Sequence, residues 1–461
     1  MPARMCHDLD HDRQQVSRRQ LLNSTAAAIG GVTLLEPLSQ LQAQQENRRP
    51  KVAAVFTAMK YRWHAHIILE NFLEPYLFNG KRTDPGVDVV SLYSDQIGQD
   101  DMTHDVVRDY RIPLYKTIDE ALCLGGKQLA VDAVLSIGEH GSYPHNELGQ
   151  HMYPRKRFFD EIVAVMRRSK RFVPLFNDKH LSYRWDWAKE MYDTCVDSGI
   201  PLMAGSSVPL AERQPPLDLP PEAEMVEAIS IHGGRVESYD FHALEVLQSM
   251  VEDRKGGETG VSQVQFLDTD ALFKAAEDGR WSLELAQAAM QAELGRKPTN
   301  LKSFDANPHG ILLTYKDGFK ATVVKIGGAN RWNFACRYKG KREIHATNFY
   351  VGPWQNRNLF KALSHAIQHH FIHGKAPYPV ERTLLVTGIL DASMHSRHEA
   401  GKVMRTPELE FAYRPIDFRA MREMGASWKI ITEDIPEPRG INPNGTKSRD
   451  EKEDQPTRQS P

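Results

Sequence analysis

The sequence predicts an α/β fold in which a doubly wound parallel sheet is followed by an α+β domain built on a mostly antiparallel sheet. Over residues 51–212, short apolar runs alternate with helical stretches, as they do when crossover helices join parallel strands. Over residues 225–415, apolar and polar residues alternate within successive segments, which is typical of antiparallel strands. Four prolines within 213–224 predict a linker between the two domains.

The first domain is expected to be Rossmann-like because its strands are mostly apolar and therefore buried on both faces. Thr117, with Glu120 three residues later, predicts a capped helix start. The predicted strands span 52–56, 87–93, 131–137, 172–176 and 201–204, and the predicted helices span 156–168, 184–196 and a stretch that continues to Leu77.

In the second domain we expect one face of the sheet to be exposed or to contact a partner, so a homo-oligomer is the expected state. Residues 436–461 are charged and rich in Pro, Asn and Lys, which predicts a disordered tail. The predicted strands span 226–231, 263–267, 310–315, 320–326, 332–338 and 343–349, and the predicted helices span 242–253, 282–294, 359–373 and 380–398.

The N-terminal residues resemble a twin-arginine export signal over 1–43, followed by a polar spacer over 44–50. Arg18 and Arg19 precede a short apolar run over 25–35, and Leu41-Gln42-Ala43 offers a small-residue cleavage site. The run is shorter than the roughly 20 residues needed to span a bilayer. We therefore expect a periplasmic or secreted protein without stable membrane insertion.

The composition favours a small-molecule partner over nucleic acid. A formal net charge of -2 provides no overall attraction to a polyanion. The four cysteines lie far apart without any CxxC spacing, so neither a zinc knuckle nor a disulfide framework is indicated.

The turn after the first strand is unusual for a nucleotide-binding domain because residues 56–64 contain no glycine. Glycines normally let the backbone approach a pyrophosphate at a helix N-terminus. Lys60 and Arg62 either replace those backbone contacts with charged ones or are solvated surface cations. The candidate cofactor-binding residues are Thr57, Lys60, Arg62, His64, Asp95, Glu139 and His140.

Two positions suggest acid/base chemistry. Lys179 follows the fourth strand, and the carboxyl end of a parallel strand faces the ligand crevice; the alternative is a surface lysine in a turn. Ser238, His242 and Glu245 are spaced i, i+4 and i+7 and share one helix face. They either deprotonate a substrate hydroxyl or form a capped helix start with a satisfied histidine.

These residues resemble motifs of the Gfo/Idh/MocA family of oxidoreductases. Asp178-Lys179-His180 is similar to the family's Glu-Lys-Pro, whose lysine is catalytic, and Ser238, His242 and Glu245 resemble its Asp-x-x-x-His-x-x-Asp without the first aspartate. His64 falls where the family has a histidine after the glycine turn, and residues 378–401 resemble its last helix, which packs back on the first domain. The resemblance implies hydride and proton transfer with NAD(P) on a carbohydrate or cyclic polyol.

Two histidine clusters are either metal sites or structural groups. The first contains His140, His145, Glu147 and His151, and the second contains His365, His369, His370 and His373. Aromatic residues in 183–187 and 348–354 either stack on a sugar ring or pack in the core.

Three functions therefore remain open. The first is an exported NAD(P)-type oxidoreductase or a derivative of one, with Lys179 and His242 facing a carbohydrate-like substrate. The second is a non-catalytic sugar-binding or scaffold protein with a degraded nucleotide site. The third is a metal-dependent keto-sugar lyase or isomerase.

Overall fold

A computed structural model describes residues 48–328 and 330–443, so the export signal predicted for 1–43 lies outside the described residues. The strands of the first domain are β1 (Lys51–Phe56), β2 (Tyr76–Phe78), β3 (Lys81–Thr83), β4 (Asp88–Ser94), β5 (Leu114–Tyr115), β6 (Ala133–Ile137), β7 (Leu175–Asp178) and β8 (Leu202–Gly205). Six of them form one parallel sheet in the order β5-β4-β1-β6-β7-β8, while β2 and β3 form a separate hairpin. The chain runs outward in opposite directions from β1 and β6, which creates a ligand crevice at their carboxyl ends.

The helices of this domain follow the predicted order. They are α1 (His64–Leu73), α2 (Thr103–Tyr110), α3 (Ile118–Cys123), α4 (Arg155–Ser169) and α5 (Trp185–Ser198). Thr117 caps α3 through a hydrogen bond from the Glu120 backbone N–H, as predicted. The stretch expected to continue to Leu77 ends at Leu73 because Pro75 restricts the preceding residue and cannot continue a helix. Similarly, β7 starts after Pro174 rather than at residue 172.

The second domain contains an eight-stranded sheet in the order β16-β11-β12-β13-β10-β14-β15-β9. Its strands are β9 (Glu212–Gln214), β10 (Met225–His232), β11 (Val261–Asp268), β12 (His309–Tyr315), β13 (Lys320–Lys325), β14 (Trp332–Tyr338), β15 (Ile344–Tyr350) and β16 (Met404–Arg405). All neighbours are antiparallel except β10 and β13, which run parallel. The prediction of a mostly antiparallel sheet is confirmed.

Five helices complete the second domain: α6 (Ser238–Val251), α7 (Thr269–Glu277), α8 (Leu283–Leu294), α9 (Asn356–His373) and α10 (Val380–His398). Helix α7 has no counterpart among the predicted elements. None of the helices in the described part of the chain is long and apolar enough to cross a membrane.

The expectation of an open sheet face is wrong for the described residues, because α8 covers that face. Leu285, Ala289 and Met290 of α8 are buried in one core with Ile231 of β10 and Ala335 of β14. The apolar surface that suggested a subunit contact is thus buried within the chain, and the oligomeric state stays a prediction.

Two expected irregular segments are partly ordered. The predicted linker over 213–224 begins inside β9, which pairs with the edge of β15 and leaves the prolines from residue 215 onward outside the ladder. Of the predicted disordered tail over 436–461, residues 436–443 contact the folded protein: Arg357 donates to the Pro438 carbonyl, and Trp354 donates its indole N–H to the adjoining Ile435 carbonyl. The rest of that prediction, over 444–461, lies outside the described residues. Cys123, Cys195 and Cys336 are buried free thiols.

Helix α10 packs back on the first domain, as the family resemblance implies. Leu384 lies in the core of the parallel sheet, and Thr387 accepts a hydrogen bond from the Leu181 backbone N–H. Arg382 forms a two-point ion pair with Glu252, which follows α6, and only 1% of the arginine is exposed. A buried ion pair of this kind joins α10 to the second domain at a fixed position.

We expect Arg382→Ala to lower the free energy of unfolding by about 3–5 kcal/mol, because it leaves the Glu252 carboxylate buried and unpaired. Urea-induced unfolding followed by circular dichroism measures the change. Arg397→Ala, an exposed position on the same helix, is the matched control and should change stability by less than about 1 kcal/mol. Equal effects of the two substitutions would contradict the role assigned to the pair.

Candidate active site

The carboxyl ends of β6 and β7 bring three charged side chains into one buried chain. Lys179 Nζ donates to Glu139 Oε1 at 2.8 Å, and the other Glu139 oxygen accepts from the Arg155 guanidinium. Arg155, at the start of α4, also contacts His180 Nε2 at 3.1 Å. Lys179 is 4% exposed, so the lysine predicted as catalytic is an interior residue rather than a surface one.

The network formed by Lys179, Glu139 and Arg155 has an excess of positive charge. Burial by itself raises the pKa of Glu139, but the charges of Lys179 and Arg155 outweigh it and hold the pKa well below its usual range. Burial, together with the Arg155 charge, lowers the pKa of His180 and keeps that ring neutral. Two cations therefore face one carboxylate, and the excess positive charge suits a substrate oxygen on which negative charge develops.

The backbone near these residues is strained. Lys179 has a φ of 65° and His140 a φ of 71°, in the left-handed region that side chains with a Cβ rarely adopt. Such a conformation costs about 1–2 kcal/mol per residue. Strain of this type persists where surrounding contacts hold it, and it clusters at functional sites.

A histidine and an aspartate form a second pair beside Lys179. His64, the first residue of α1, lies with Nδ1 at 2.7 Å from Asp178 Oδ2 at the end of β7. The His64 backbone N–H donates to His140 Nδ1, and Trp63 stacks on the His140 ring. Burial and the nearby His64 charge lower the pKa of His140 to about 3, so His140 is neutral. His64 was predicted only as a cofactor-binding residue. The structure also places it against Asp178, next to Lys179.

Helix α6 brings the second predicted motif to the same interior. Lys179 pairs with Gly205 in an isolated β-bridge, and the next residue, Ser206, contacts His242, so the two predicted catalytic residues lie close together. Burial, then the positive charge of Lys179, lowers the pKa of His242 well below its usual value. His242 Nδ1 is 2.7 Å from the Ser206 hydroxyl, which follows β8. Glu245 Oε1 accepts from the Thr383 hydroxyl of α10 at 2.8 Å. His242 and Glu245 are therefore positioned by residues from two other parts of the fold, the end of β8 and α10.

The hydroxyl group that contacts His242 in the described residues is that of Ser206, while a catalytic role for Ser238 stays a prediction. Ser238 begins α6 and lies a full turn before His242, where it stays partly exposed. Ser206 escaped the sequence reasoning because it lies 36 positions from His242. Its signal was a run of two serines directly after a buried strand.

The backbone amides of the glycine-free turn are already engaged. The Met59 N–H donates to Asp101, and the Arg62 N–H donates to His66. Thr57 Oγ1 donates to the Glu139 carbonyl at 2.6 Å, while Lys60 lies over the Trp63 ring. The turn therefore offers side chains rather than these amides to a ligand.

Asp95, expected at a ribose hydroxyl, is engaged as well. Tyr93 and Tyr143 both donate their hydroxyls to it, at 2.7 and 2.6 Å, and Arg157 forms an ion pair with it. Burial raises the pKa of Asp95, but these hydrogen bonds outweigh burial and lower it overall. The carboxylate is ionised and available to a ribose only if these partners move.

Neither predicted histidine cluster gathers three metal ligands among the described residues. In the first cluster, His145 and His151 stack on each other, while His140 lies apart with His64. In the second, His365 stacks on Phe78 and contacts the Tyr76 hydroxyl, and His370 is buried against the Leu175 carbonyl. Both clusters therefore have structural contacts that explain them.

A different trio, His232, Asp240 and His309, does bring potential metal ligands together. Both histidines place Nε2 on the same Asp240 oxygen, at 2.9 and 2.8 Å, and the second oxygen accepts from the Glu237 N–H. His232 Nδ1 has no hydrogen-bond partner, whereas a metal-bound histidine normally donates its other N–H. The trio is best explained as a hydrogen-bonded brace that fixes the start of α6.

The fold and the site together define a class: a doubly wound parallel domain with a buried lysine at a strand end, followed by an α+β domain that supplies a buried histidine. Structural comparison finds the same fold in solved dehydrogenases of the Gfo/Idh/MocA type. The myo-inositol dehydrogenase from Lactobacillus casei, solved with NAD(H) and myo-inositol, is 14% identical and aligns over 81% of this chain and 100% of its own, with a TM-score of 0.51. The expected resemblance is confirmed at the level of the fold.

Two other solved structures are similar at lower scores. GenD2 from gentamicin A biosynthesis, solved with NAD, is 11% identical over 78% of this chain and 96% of its own, with a TM-score of 0.49. The myo-inositol 2-dehydrogenase from Lactobacillus plantarum is 10% identical over 78% of this chain and 99% of its own, with a TM-score of 0.47. No protein-family model matches the sequence, and no curated protein matches it significantly.

We expect Glu245 to contribute stability that is lost with rising pH. Burial raises its pKa to about 7, so the folded state holds the proton more tightly than the unfolded chain. The resulting stabilisation is complete below the ordinary carboxyl pKa and is lost as the pH rises through about 7. Glu245→Gln should remove this loss, which amounts to about 3 kcal/mol by linkage.

Urea unfolding of both proteins at about pH 5 and pH 8 measures the difference. Glu277→Gln, an exposed position on α7, is the control and should keep the wild-type pH dependence. An unchanged pH dependence in Glu245→Gln would show that Glu245 is ionised in the folded protein throughout this range.

Proposed function

We propose that this protein is an exported oxidoreductase-type enzyme that acts on a carbohydrate or a cyclic polyol, with Lys179 as its acid/base residue. The observation that carries the proposal is the buried Lys179–Glu139–Arg155 network at the carboxyl edge of the parallel sheet, which Gly205 and Ser206 link to His242. A lysine held in this way suits proton exchange with a substrate oxygen better than it suits structural support, because a buried cation without a function is costly. The fold similarity to polyol dehydrogenases supports the substrate class.

In this mechanism, the Lys179 ammonium exchanges a proton with the oxygen of the reacting hydroxyl or carbonyl group. Glu139 stays ionised and orients the ammonium, while Arg155 holds the second Glu139 oxygen and so fixes the carboxylate. His242 is neutral, and Ser206 engages its Nδ1, which leaves Nε2 for a neighbouring substrate hydroxyl. Exclusion of water from this interior strengthens each of these interactions.

A dinucleotide, when bound, supplies hydride transfer at its nicotinamide ring. Residues of the right type lie at the crevice: Arg62 for a phosphate and Asp95 for a ribose hydroxyl. Both already have protein partners in this structure, so binding requires those partners to move. We therefore propose that a dinucleotide binds after the turn between β1 and α1 has rearranged.

The engaged turn favours a second candidate, a carbohydrate-binding protein without redox activity. Denaturation of the purified, folded protein and analysis of the released small molecules separates the two. Nucleotide at close to one per chain supports the enzyme, and its absence, combined with sugar binding, supports the second candidate. Bound metal without nucleotide would instead favour a metal-dependent lyase or isomerase.

We expect Lys179→Ala and His242→Ala each to reduce turnover by about 10²–10⁴-fold on inositols and hexoses, which is the usual contribution of general acid–base catalysis. Absorbance of reduced nicotinamide measures the rate with NAD present. Lys189→Ala, a half-exposed lysine on α5 that pairs with Asp193, is the matched control and should retain wild-type turnover. Unchanged rates in both site variants would remove the catalytic assignment.

Export is a separate part of the proposal and rests on Arg18 and Arg19 ahead of the apolar run. We expect the double substitution Arg18→Lys with Arg19→Lys to abolish export, because the pathway requires the arginine pair. Immunoblots of periplasmic and cytoplasmic fractions measure it: the processed chain should disappear from the periplasm while the precursor accumulates. Arg13→Lys is the control, and normal export of the double variant would refute the signal.

A further inference from the structure

We propose that Tyr61, Arg62 and Arg357 form a binding site for a phosphate or diphosphate group, and that the carboxylate of Glu437 occupies this site in the present conformation. Glu437 belongs to the C-terminal segment, residues 435–443. The identity of the phosphate as part of a nucleotide rests on the proposed function. The anion site itself rests on the contacts described below.

Three side chains from two distant parts of the chain converge on Glu437. Arg62 forms an ion pair with one carboxylate oxygen, and the Tyr61 hydroxyl donates to the other at 2.8 Å. Arg357, at the start of α9, donates to that second oxygen at 3.1 Å. Only 2% of the Arg357 side chain and 13% of the Glu437 side chain are exposed, so this is an enclosed anion site rather than a surface pair.

The position of the site identifies the kind of anion. Tyr61 and Arg62 lie in the turn between β1 and α1, where doubly wound folds bind phosphate groups. The Met59 and Arg62 amides of this turn are occupied by Asp101 and His66. Because those amides are not available, the positive charge for a phosphate comes from the two guanidinium groups, which favour bidentate binding of such anions.

The charges balance only while Glu437 is in place. Arg357 pairs with Glu70 as well as with Glu437, and His66 also contacts Glu70. The negative charges of Glu70 and Glu437 together compensate the positive charges of Arg62 and Arg357. If Glu437 leaves, one buried cation loses its partner, and a phosphate group would restore the balance.

The C-terminal segment is anchored beyond Glu437, where Ile441 is buried in the main core and Asn442 is buried as well. Exchange therefore needs the stretch around Glu437 to move while Ile441 stays in place. Besides Glu437, its links to the protein include the Trp354 indole to the Ile435 carbonyl and Arg357 to the Pro438 carbonyl. The Ile435 side chain is exposed, so the segment buries little apolar surface there. An internal carboxylate that competes for the site lowers the apparent affinity of the ligand by the fraction of time it occupies the site.

The experiment compares pyrophosphate and ADP binding to the full-length exported chain and to Glu437→Gln by isothermal titration calorimetry. We expect Glu437→Gln to bind pyrophosphate at least about tenfold more tightly, because the amide no longer neutralises the two arginines. Glu433→Gln, an exposed carboxylate of the adjoining stretch, is the matched control and should bind as the wild type does. Adding Arg62→Gln to Glu437→Gln should abolish the gain.

A thermal-shift measurement keeps the test readable if Glu437→Gln is less stable, since pyrophosphate should raise its melting temperature more than that of the wild type. Equal pyrophosphate affinities in Glu437→Gln and Glu433→Gln would overturn the proposal, as would a gain that survives the loss of Arg62. Tighter pyrophosphate binding without any nicotinamide reduction would leave the anion site standing and refute the proposed oxidoreductase. The two proposals therefore fail separately.

Discussion

The arrangement of the site depends on one interaction, the buried ion chain in which Glu139 is shared by Lys179 and Arg155. Charges in the interior are tolerated only when they are paired and hydrogen-bonded, so removal of any member leaves another without a partner. The chain joins the loops after β6 and β7 to the first turn of α4. These loops build the crevice at the carboxyl edge of the sheet, and the ion chain sets their relative positions.

The second domain completes the interior with polar groups whose partners lie elsewhere in the fold. His242 meets Ser206 of the first domain, and Glu245 meets Thr383 of α10. Both α6 residues face away from solvent, which explains the lowered pKa of the histidine and the raised pKa of the carboxyl group. The result is a buried interior that contains a cation, a neutral imidazole and a protonatable carboxyl group, a combination suited to proton transfer.

The site was only partly predictable, for a physical reason. Lys179 was identified because a lysine that follows an apolar strand of a parallel sheet faces the crevice. Arg155 was missed because its role depends on its contact with Glu139, which the sequence does not reveal. Ser206 was missed because its partner, His242, lies in the other domain. Glu437 was predicted to lie in a disordered tail because the composition of that tail is polar. Composition contains no information about the distant arginines that bind Glu437.

The sequence by itself determined the order of the longer strands and of most helices, the division into a parallel and a mostly antiparallel sheet, and the position of Lys179 at a strand end. These features follow from local periodicity and from the restrictions that Pro and capping residues place on the backbone. Only the tertiary structure decided that α8 covers the second sheet, that Ser206 lies against His242, and that Glu437 lies against Arg62 and Arg357. Those outcomes depend on side chains that are far apart along the chain and meet only when the sheets and helices pack.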